Sequence, residues 1–194
     1  MNYICHSGGC LGSDMEWENE CLKYGIKTIA YSFYNHSQQG RNQKILTVDE
    51  LNEGFENVKI ASKGLKKSPN ISYPYVRNLL CRNWYQVKNS DAIFAIGKFK
   101  DNKRVDGGTG WAVQMAIDNN KLVFVFDQNN NKWNKFCYDL TEFKIIDYIP
   151  RLTENFAGIG TRDINENGKN AIKIILSSMF SSTPDSNIEQ SMFW

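Results

Sequence analysis

Residues 2–31 read NYICHSGGCLGSDMEWENECLKYGIKTIAY, and this stretch decides the fold. The apolar run at residues 2–6 predicts a strand, and a glycine-rich turn follows it at residues 7–12. A helix is expected next, because apolar residues recur there at helical spacing: Trp17, Cys21 and Tyr24. Gly25 is a suitable helix stop, and residues 27–31 predict a second strand. A strand, a glycine turn, a helix and a strand in this order form the unit from which parallel sheets are built.

The rest of the chain continues this alternation of helices with short apolar strands. The capping box at residues 47–50 opens a helix that is expected to end near Lys63. Residues 32–46 lack apolar periodicity and predict a long loop. The remaining elements are expected in this order: a helix at 75–88, a strand at 92–96, a helix at 110–119, a strand at 122–126, a turn at 129–131, a strand at 155–159 and a final helix that includes Ile164 and Met179.

This order of elements predicts an α/β fold, a Rossmann-like three-layer sandwich with a mostly parallel sheet and helices on both faces. The 194 residues suit one domain. We assign residues 1–180 to a single Rossmann-like domain and residues 181–194 to a C-terminal tail. Crossovers in such sheets are right-handed, and ligands bind beyond the carboxyl ends of the strands.

Composition narrows the classes of function. The net charge of +2 does not suggest a strongly basic nucleic-acid surface. No apolar run is long enough to predict a membrane-spanning helix, and the start MNYICHSGGC does not resemble a secretory signal. Five cysteines at irregular spacing and two histidines form no zinc motif. We therefore expect a cytoplasmic protein with reduced thiols, no metal site, no cofactor and no membrane partner.

Three glycine-rich clusters each follow a strand, and in this fold all three meet at one edge of the sheet. Glycines before a helix let a phosphate approach the backbone amides and the positive end of the helix dipole. We expect these clusters to cradle a phosphate, with Thr109 donating to it, Asp106 orienting a sugar hydroxyl and Arg162 pairing with the anion. Tight turns without a ligand are the alternative. The candidate residues are Ser7, Gly8, Gly9, Gly12, Asp106, Gly107, Gly108, Thr109, Gly110, Gly160, Thr161 and Arg162.

Five further side chains are candidates for ligand contact or chemistry. Asn83 projects from an apolar helical stripe beside Arg82, where a buried amide must bond either the protein or a ligand. Trp111 either stacks on a base or belongs to the core. Asp14 and the nearby Glu18 could act on a sugar centre or activate water. The alternatives are an acid that complements the helix dipole for Asp14 and a solvated helix face for Glu18.

These motifs resemble the SLOG superfamily of Rossmann-like nucleotide-binding domains, which includes the Lonely Guy phosphoribohydrolases and the DNA-processing protein A family. HSGGCLGSDMEWENECLKYGIKTIAY is similar to the SG-x-A-x-G-x-D segment of the latter, and Arg82-Asn83 to its R-N motif. VDGGTGWAVQMAIDNNKLVFVFD resembles the glycine-rich second half of the superfamily. FAGIGTRDINENGKNA resembles the element that opens the DNA-processing family, but here it comes last. This order implies a circular permutation, which predicts that strand 155–159 pairs with strand 2–6.

One departure from the family pattern leaves the activity open. Lonely Guy enzymes carry PGG-x-GT-x-x-E, and this chain has Trp111 at the threonine and Gln114 at the catalytic glutamate. The first expectation is a protein that binds a nucleotide or ADP-ribose-like ligand and hydrolyses its N-glycosidic bond through Asp14 or Glu18. The alternatives are a non-catalytic sensor or sequestering protein for a nucleotide signal, and a less favoured single-strand nucleic-acid binder. The resemblance also implies a homo-oligomer.

Overall fold

The computed structural model describes residues 2–181, and within them the chain forms a Rossmann-like three-layer α/β fold. The strands are β1 (Ile4–Ser7), β2 (Lys27–Phe33), β3 (Gln43–Leu46), β4 (Ala92–Gly97), β5 (Phe99–Asp101), β6 (Arg104–Val105), β7 (Leu122–Asp127), β8 (Lys132–Cys137), β9 (Glu142–Ile146) and β10 (Asn155–Gly160). The helices are α1 (Ser13–Lys23), α2 (Val48–Leu65), α3 (Pro74–Lys88), α4 (Thr109–Asp118) and α5 (Glu166–Phe180). No helix in this described range is long and apolar enough to cross a membrane.

The main sheet has eight strands in the order β3-β2-β1-β10-β4-β7-β8-β9. The strands from β3 to β7 in this order are parallel, and β8 and β9 add an antiparallel edge. The strands β5 and β6 form a separate antiparallel ribbon. The mostly parallel sheet that the sequence predicts is therefore confirmed.

Two apolar cores lie on the two faces of the sheet, one under α1 and α5 and the other under α2, α3 and α4. The position of β4 between these two cores explains its apolar sequence. Its Phe94 and Ile96 belong to the core under α1 and α5, whereas Ile93 and Ala95 belong to the other core. A strand covered by helices on both faces has no solvent-facing side, so the run AIFAIG is buried throughout.

The strand β10 lies in the middle of the sheet although it comes last in the chain. It pairs in parallel with β1, where Ile4 lies opposite Asn155, and with β4 on its other side. The expectation that these two strands are neighbours is confirmed. Their carboxyl ends meet at one edge, where the amide of Ser13 donates to the carbonyl oxygen of Thr161 at 3.0 Å.

Four details differ from the sequence expectations. Residues 32–46 are not one loop, because β2 continues to Phe33 and β3 pairs with it in parallel. The strands β8 and β9 and the ribbon β5–β6 were not expected. Ile164 lies before the final helix, whose N-cap is Asn165. Of the expected C-terminal tail, residues 182–194 lie outside the described range.

Candidate functional site

A cleft of about 340 Å³ opens beyond the carboxyl end of β10, between the first turns of α1 and α4 and the side of α3. This is the edge of the sheet where ligands bind in open α/β folds. Its volume lies near the lower end of the range of about 300–1,000 Å³ that small-molecule sites occupy. The structure brings these sequence-predicted residues together in its walls: Asp14, Arg82, Asn83, Gly108, Thr109, Gly160, Thr161 and Arg162.

Two helices begin at this cleft, and neither has a side-chain cap. The N-caps of α1 and α4 are Gly12 and Gly108, which have no side chain to accept from the first-turn amides. By contrast, α2 has a complete capping box at Thr47, and the Asn165 side chain accepts from the amide of Gly168 in α5. Backbone carbonyl oxygens satisfy part of both first turns: the amide of Met15 donates to Cys10 in α1, and those of Gly110 and Trp111 donate to Asp106 and Gly108 in α4. The partial positive charge of a helix start still favours an anion nearby.

The two uncapped helix starts are not equivalent. The carbonyl oxygen of Thr161 accepts from the amide of Ser13 at 3.0 Å and from its hydroxyl at 2.8 Å, so the residue after β10 already occupies part of the start of α1. Gly108 is exposed and Thr109 half-buried at the start of α4, and both line the cleft. The start of α4 is therefore the more accessible of the two from the cleft.

Arg162 needs a correction. Its place in the third glycine cluster, before the final helix, suggested that it lies at a third helix start in the cradle, where an arginine opposes the helix dipole. The structure places Arg162 in the loop after β10, before the N-cap of α5 at Asn165, and the start of α5 bonds Gln128 instead of the cleft. Arg162 is exposed at the rim of the cleft and faces no dipole conflict.

Arg82 lies buried in the wall of the cleft and is only 5% exposed. Its Nη1 lies 3.7 Å from Oδ2 of Asp14, and its Nη2 donates to Sγ of Cys10 at 3.0 Å. Neither Nε nor Nη1 has a hydrogen-bond partner within residues 2–181. A Cβ at Gly8 would overlap the guanidinium group, so the glycine at this position makes room for Arg82. Buried donors of a charged group without partners favour an anionic ligand.

Burial dominates the titration of the two groups beside Arg82. It raises the pKa of Asp14, and the opposing effects of Arg82 and of backbone amides at Cys10 and Gly160 are smaller. Burial also raises the pKa of the Cys10 thiol, which Arg82 opposes.

The cleft wall formed by α3 changes character along the helix. Val76 and Leu79 lie towards its N-terminus, Val76 being exposed, and Asn83 and Gln86 follow on the next turns. Gln86 is 2% exposed, and its Nε2 has no hydrogen-bond partner within the described chain. Sequence reasoning missed Gln86, although its spacing of three residues from Asn83 places both on one helix face.

Cys10 and Leu11 are two further lining residues that the sequence did not single out. Sγ of Cys10 lies 3.9 Å from Nε2 of His36, whose pKa burial lowers to about 4. Leu11 is exposed at the mouth of the cleft. Both residues lie in the loop between a predicted strand and a predicted helix, and this position was the one sequence feature that pointed to the site. Neither a cysteine nor a leucine by itself indicates contact with a ligand.

The other predicted site residues do not line the cleft. Glu18 is fully buried, and its Oε2 accepts from the amide of Arg41 at 2.7 Å. Trp111 belongs to the core under α2, α3 and α4, which decides between its two readings in favour of the core. The residues that only shape the surrounding turns are Ser7, Gly8, Gly9, Gly12, Asp106, Gly107 and Gly110.

Two of these turn residues have a clear structural role. The Ser7 hydroxyl accepts from the amide of Gly9 at 3.1 Å and closes the turn after β1. Gly12 has φ +97, and a Cβ there would overlap the backbone of Arg162, so this glycine allows the first and last segments of the fold to approach. No cluster of His, Cys, Asp and Glu side chains suited to a metal occurs among residues 2–181.

Comparison with protein-family models, with curated proteins and with solved structures finds no match for this chain.

Proposed function

We propose that the protein binds a phosphorylated nucleotide or an ADP-ribose-like ligand in this cleft. One observation carries the proposal: an uncapped helix start at Gly108 and Thr109 and the buried, partly unpartnered Arg82 line the same small cavity. Backbone amides at a helix start and a guanidinium group are the two groups that bind phosphate best in proteins. The exposed Arg162 adds a second cation at the rim.

A nucleotide should stabilise the folded state, and the matching nucleoside should do so much less. At a concentration of about 100 times Kd, binding adds about 2.7 kcal/mol, which corresponds to a rise in Tm of roughly 5–10 °C for a chain of this size. Arg162→Ala should weaken nucleotide binding about tenfold, since it removes a charge-assisted hydrogen bond at an exposed site. Differential scanning fluorimetry and titration calorimetry measure both effects.

Arg151→Ala is the matched control, because Arg151 is also exposed but does not line the cleft. It should bind the nucleotide as the wild type does. If the nucleoside protects as well as the nucleotide, or if Arg162→Ala and Arg151→Ala bind equally well, the phosphate site proposed here is wrong.

Hydrolysis of the N-glycosidic bond is the second candidate function, and the position of Asp14 in the cleft wall favours it. The carboxyl group would stabilise a positively charged sugar centre or activate water. Asp14→Asn should then abolish base release while nucleotide affinity stays within about tenfold. Glu18→Gln should leave base release unchanged, because Glu18 lies outside the cleft.

Chromatography of products from nucleoside monophosphates, NAD and ADP-ribose measures this reaction. Absence of free base with all of these substrates would leave binding without turnover, as expected of a sensor or a sequestering protein.

A further inference from the structure

The face of α3 that lines the cleft carries two kinds of side chain. Val76 and Leu79 present apolar surface on the outer part, and Leu11 presents more from the loop before α1. Leu11 is 60% exposed and Val76 42% exposed, so the mouth of the cleft has uncovered apolar surface on two sides. Asn83 and Gln86 follow one and two turns further along the helix.

Gln86 is the least satisfied of these groups. It is 2% exposed, its Nε2 lacks a hydrogen-bond partner within residues 2–181, and its neighbours in the cleft wall include the apolar Ile159 and Ala112. A buried carboxamide donor without a partner lowers the stability of the fold unless a ligand supplies the acceptor. Its position beside Asn83 places two carboxamides in the same wall.

We propose that Asn83 and Gln86 recognise the edge of a nucleobase whose ring packs between Leu11 and the Val76–Leu79 surface. This inference rests on the proposed function, since it assigns the base end of the ligand whose phosphate binds at α4. A carboxamide presents a donor and an acceptor side by side in one plane, and nucleobase edges present the complementary pair. A phosphate offers mainly acceptors, so these side chains act on specificity rather than on anion binding.

The test compares nucleoside monophosphates with ribose 5-phosphate by titration calorimetry. The probes are AMP, GMP, CMP, UMP and ribose 5-phosphate. We expect the wild type to bind at least one of the nucleotides tenfold or more tightly than ribose 5-phosphate. Gln86→Ala and Asn83→Ala should each lower this preference at least about fivefold, because the loss of one paired base contact costs at least about 1 kcal/mol. Each variant should keep its affinity for ribose 5-phosphate within about twofold of the wild type.

Asn78→Ala is the matched control, because Asn78 lies on the same helix but outside the cleft wall, and it should keep the wild-type preference. Circular dichroism establishes that each variant is folded. Asn83 lies nearer the surface than Gln86, so Asn83→Ala decides the matter if Gln86→Ala does not fold.

The outcomes separate the two proposals. If the wild type binds ribose 5-phosphate as tightly as every nucleotide, or if Asn83→Ala weakens both ligands equally, the base-recognition role is wrong and the phosphate site stands. If the wild type binds none of these probes and does not bind ADP-ribose either, the proposed function itself is overturned.

Discussion

Asp14 and Glu18 lie one turn apart on α1, yet only Asp14 reaches the cleft. The sequence makes both of them candidates for chemistry at a sugar centre, with a solvated helix face as the alternative for Glu18. The structure turns Glu18 towards the loop before β3, where it accepts from the amide of Arg41. The hydrogen-bond partner of this buried acid lies on a loop that is distant in sequence. No local sequence pattern predicts such a partner.

Glu18 should affect the stability of the fold and not the chemistry in the cleft. The pH dependence of the free energy of unfolding provides a test. Burial raises its pKa in the folded state, and Asp14 adds to this, whereas hydrogen bonds from Arg41 and Ser7 oppose it. The folded state therefore holds the proton more tightly than the unfolded chain, whose glutamate pKa is about 4.3. The stabilising contribution of protonated Glu18 is complete below that value and is lost as pH rises through the raised pKa.

Glu18→Gln keeps an oxygen for the Arg41 amide but removes this proton dependence. We expect the free energy of unfolding of the variant, relative to the wild type, to increase between pH 4 and pH 8. Urea unfolding at a series of pH values measures it, and ligand affinity at pH 7 should be unchanged. A constant difference between the two proteins across this range would mean that Glu18 is not perturbed as the structure indicates.

Gly8 and Gly108 show how far the sequence alone can predict a site. Both belong to glycine clusters that predict a phosphate cradle, and the clusters do meet at one edge. A Cβ at Gly8 would overlap Arg82, whereas a Cβ at Gly108 would have nothing within 4 Å. Gly8 therefore makes room for a side chain that comes 74 positions later in the chain. Of these two glycines, Gly108 is the one that leaves open space for a ligand. The sequence predicts where the turns gather, but not what fills the space above each glycine.

At the scale of elements, the first turn of α4 lacks a side-chain cap and is exposed to the cleft. Gly108 has φ -66 and ψ -35, which any residue can adopt, and its position leaves room for a side chain. No acidic residue lies in the first turn of α4, unlike the first turns of α1, α2 and α5. A helix start left without negative charge is available to an anionic ligand.

Gly108→Asp should therefore change stability and binding in opposite directions. An acid at this position complements the dipole and should stabilise the free protein by about 0.3–1 kcal/mol. The same carboxylate should abolish stabilisation by a nucleotide, because it repels the phosphate and occupies its space. Thermal unfolding with and without the nucleotide measures both effects. A variant that is more stable and still binds the nucleotide would exclude the α4 cradle.

The elements that the sequence predicts well differ physically from those it misses. Strands β4 and β7 are continuous apolar runs because helices cover both faces of the sheet there. The edge strand β3 reads QKIL, with only Leu46 buried, and nothing in that run distinguishes it from a loop. The strands β8 and β9 mix buried aromatic residues with lysines, so neither run shows strict alternation. Such strands form because a neighbouring strand is present, and tertiary context overrides the local pattern.

At the scale of the whole molecule, the order of the chain and the order of the sheet disagree at β10. This strand lies between β1 and β4, and it also contributes Gly160 to the cleft. Motif order predicted the pairing, because a segment that opens the resembled family closes this chain. The two ends of the described fold also meet, since the rings of Tyr3 and Phe180 lie 4.9 Å apart in an edge-to-face contact.

A circular permutant should therefore preserve the fold and the cleft. Joining residue 194 to residue 1 and opening the chain between Asp147 and Tyr148 makes β10 and α5 precede β1, with every residue retained. Asp147 and Tyr148 are exposed and lie outside helices and strands, which is where new termini are tolerated. The contact between β1 and β10 then becomes more local in sequence, so refolding should be faster than in the wild type. Stopped-flow refolding and calorimetry with the nucleotide that binds the wild type measure the two expectations. A permutant that is folded but does not bind the nucleotide would show that the cleft depends on the order of the chain. Equal affinity together with faster refolding would show that the cleft depends only on the arrangement of the strands in the sheet.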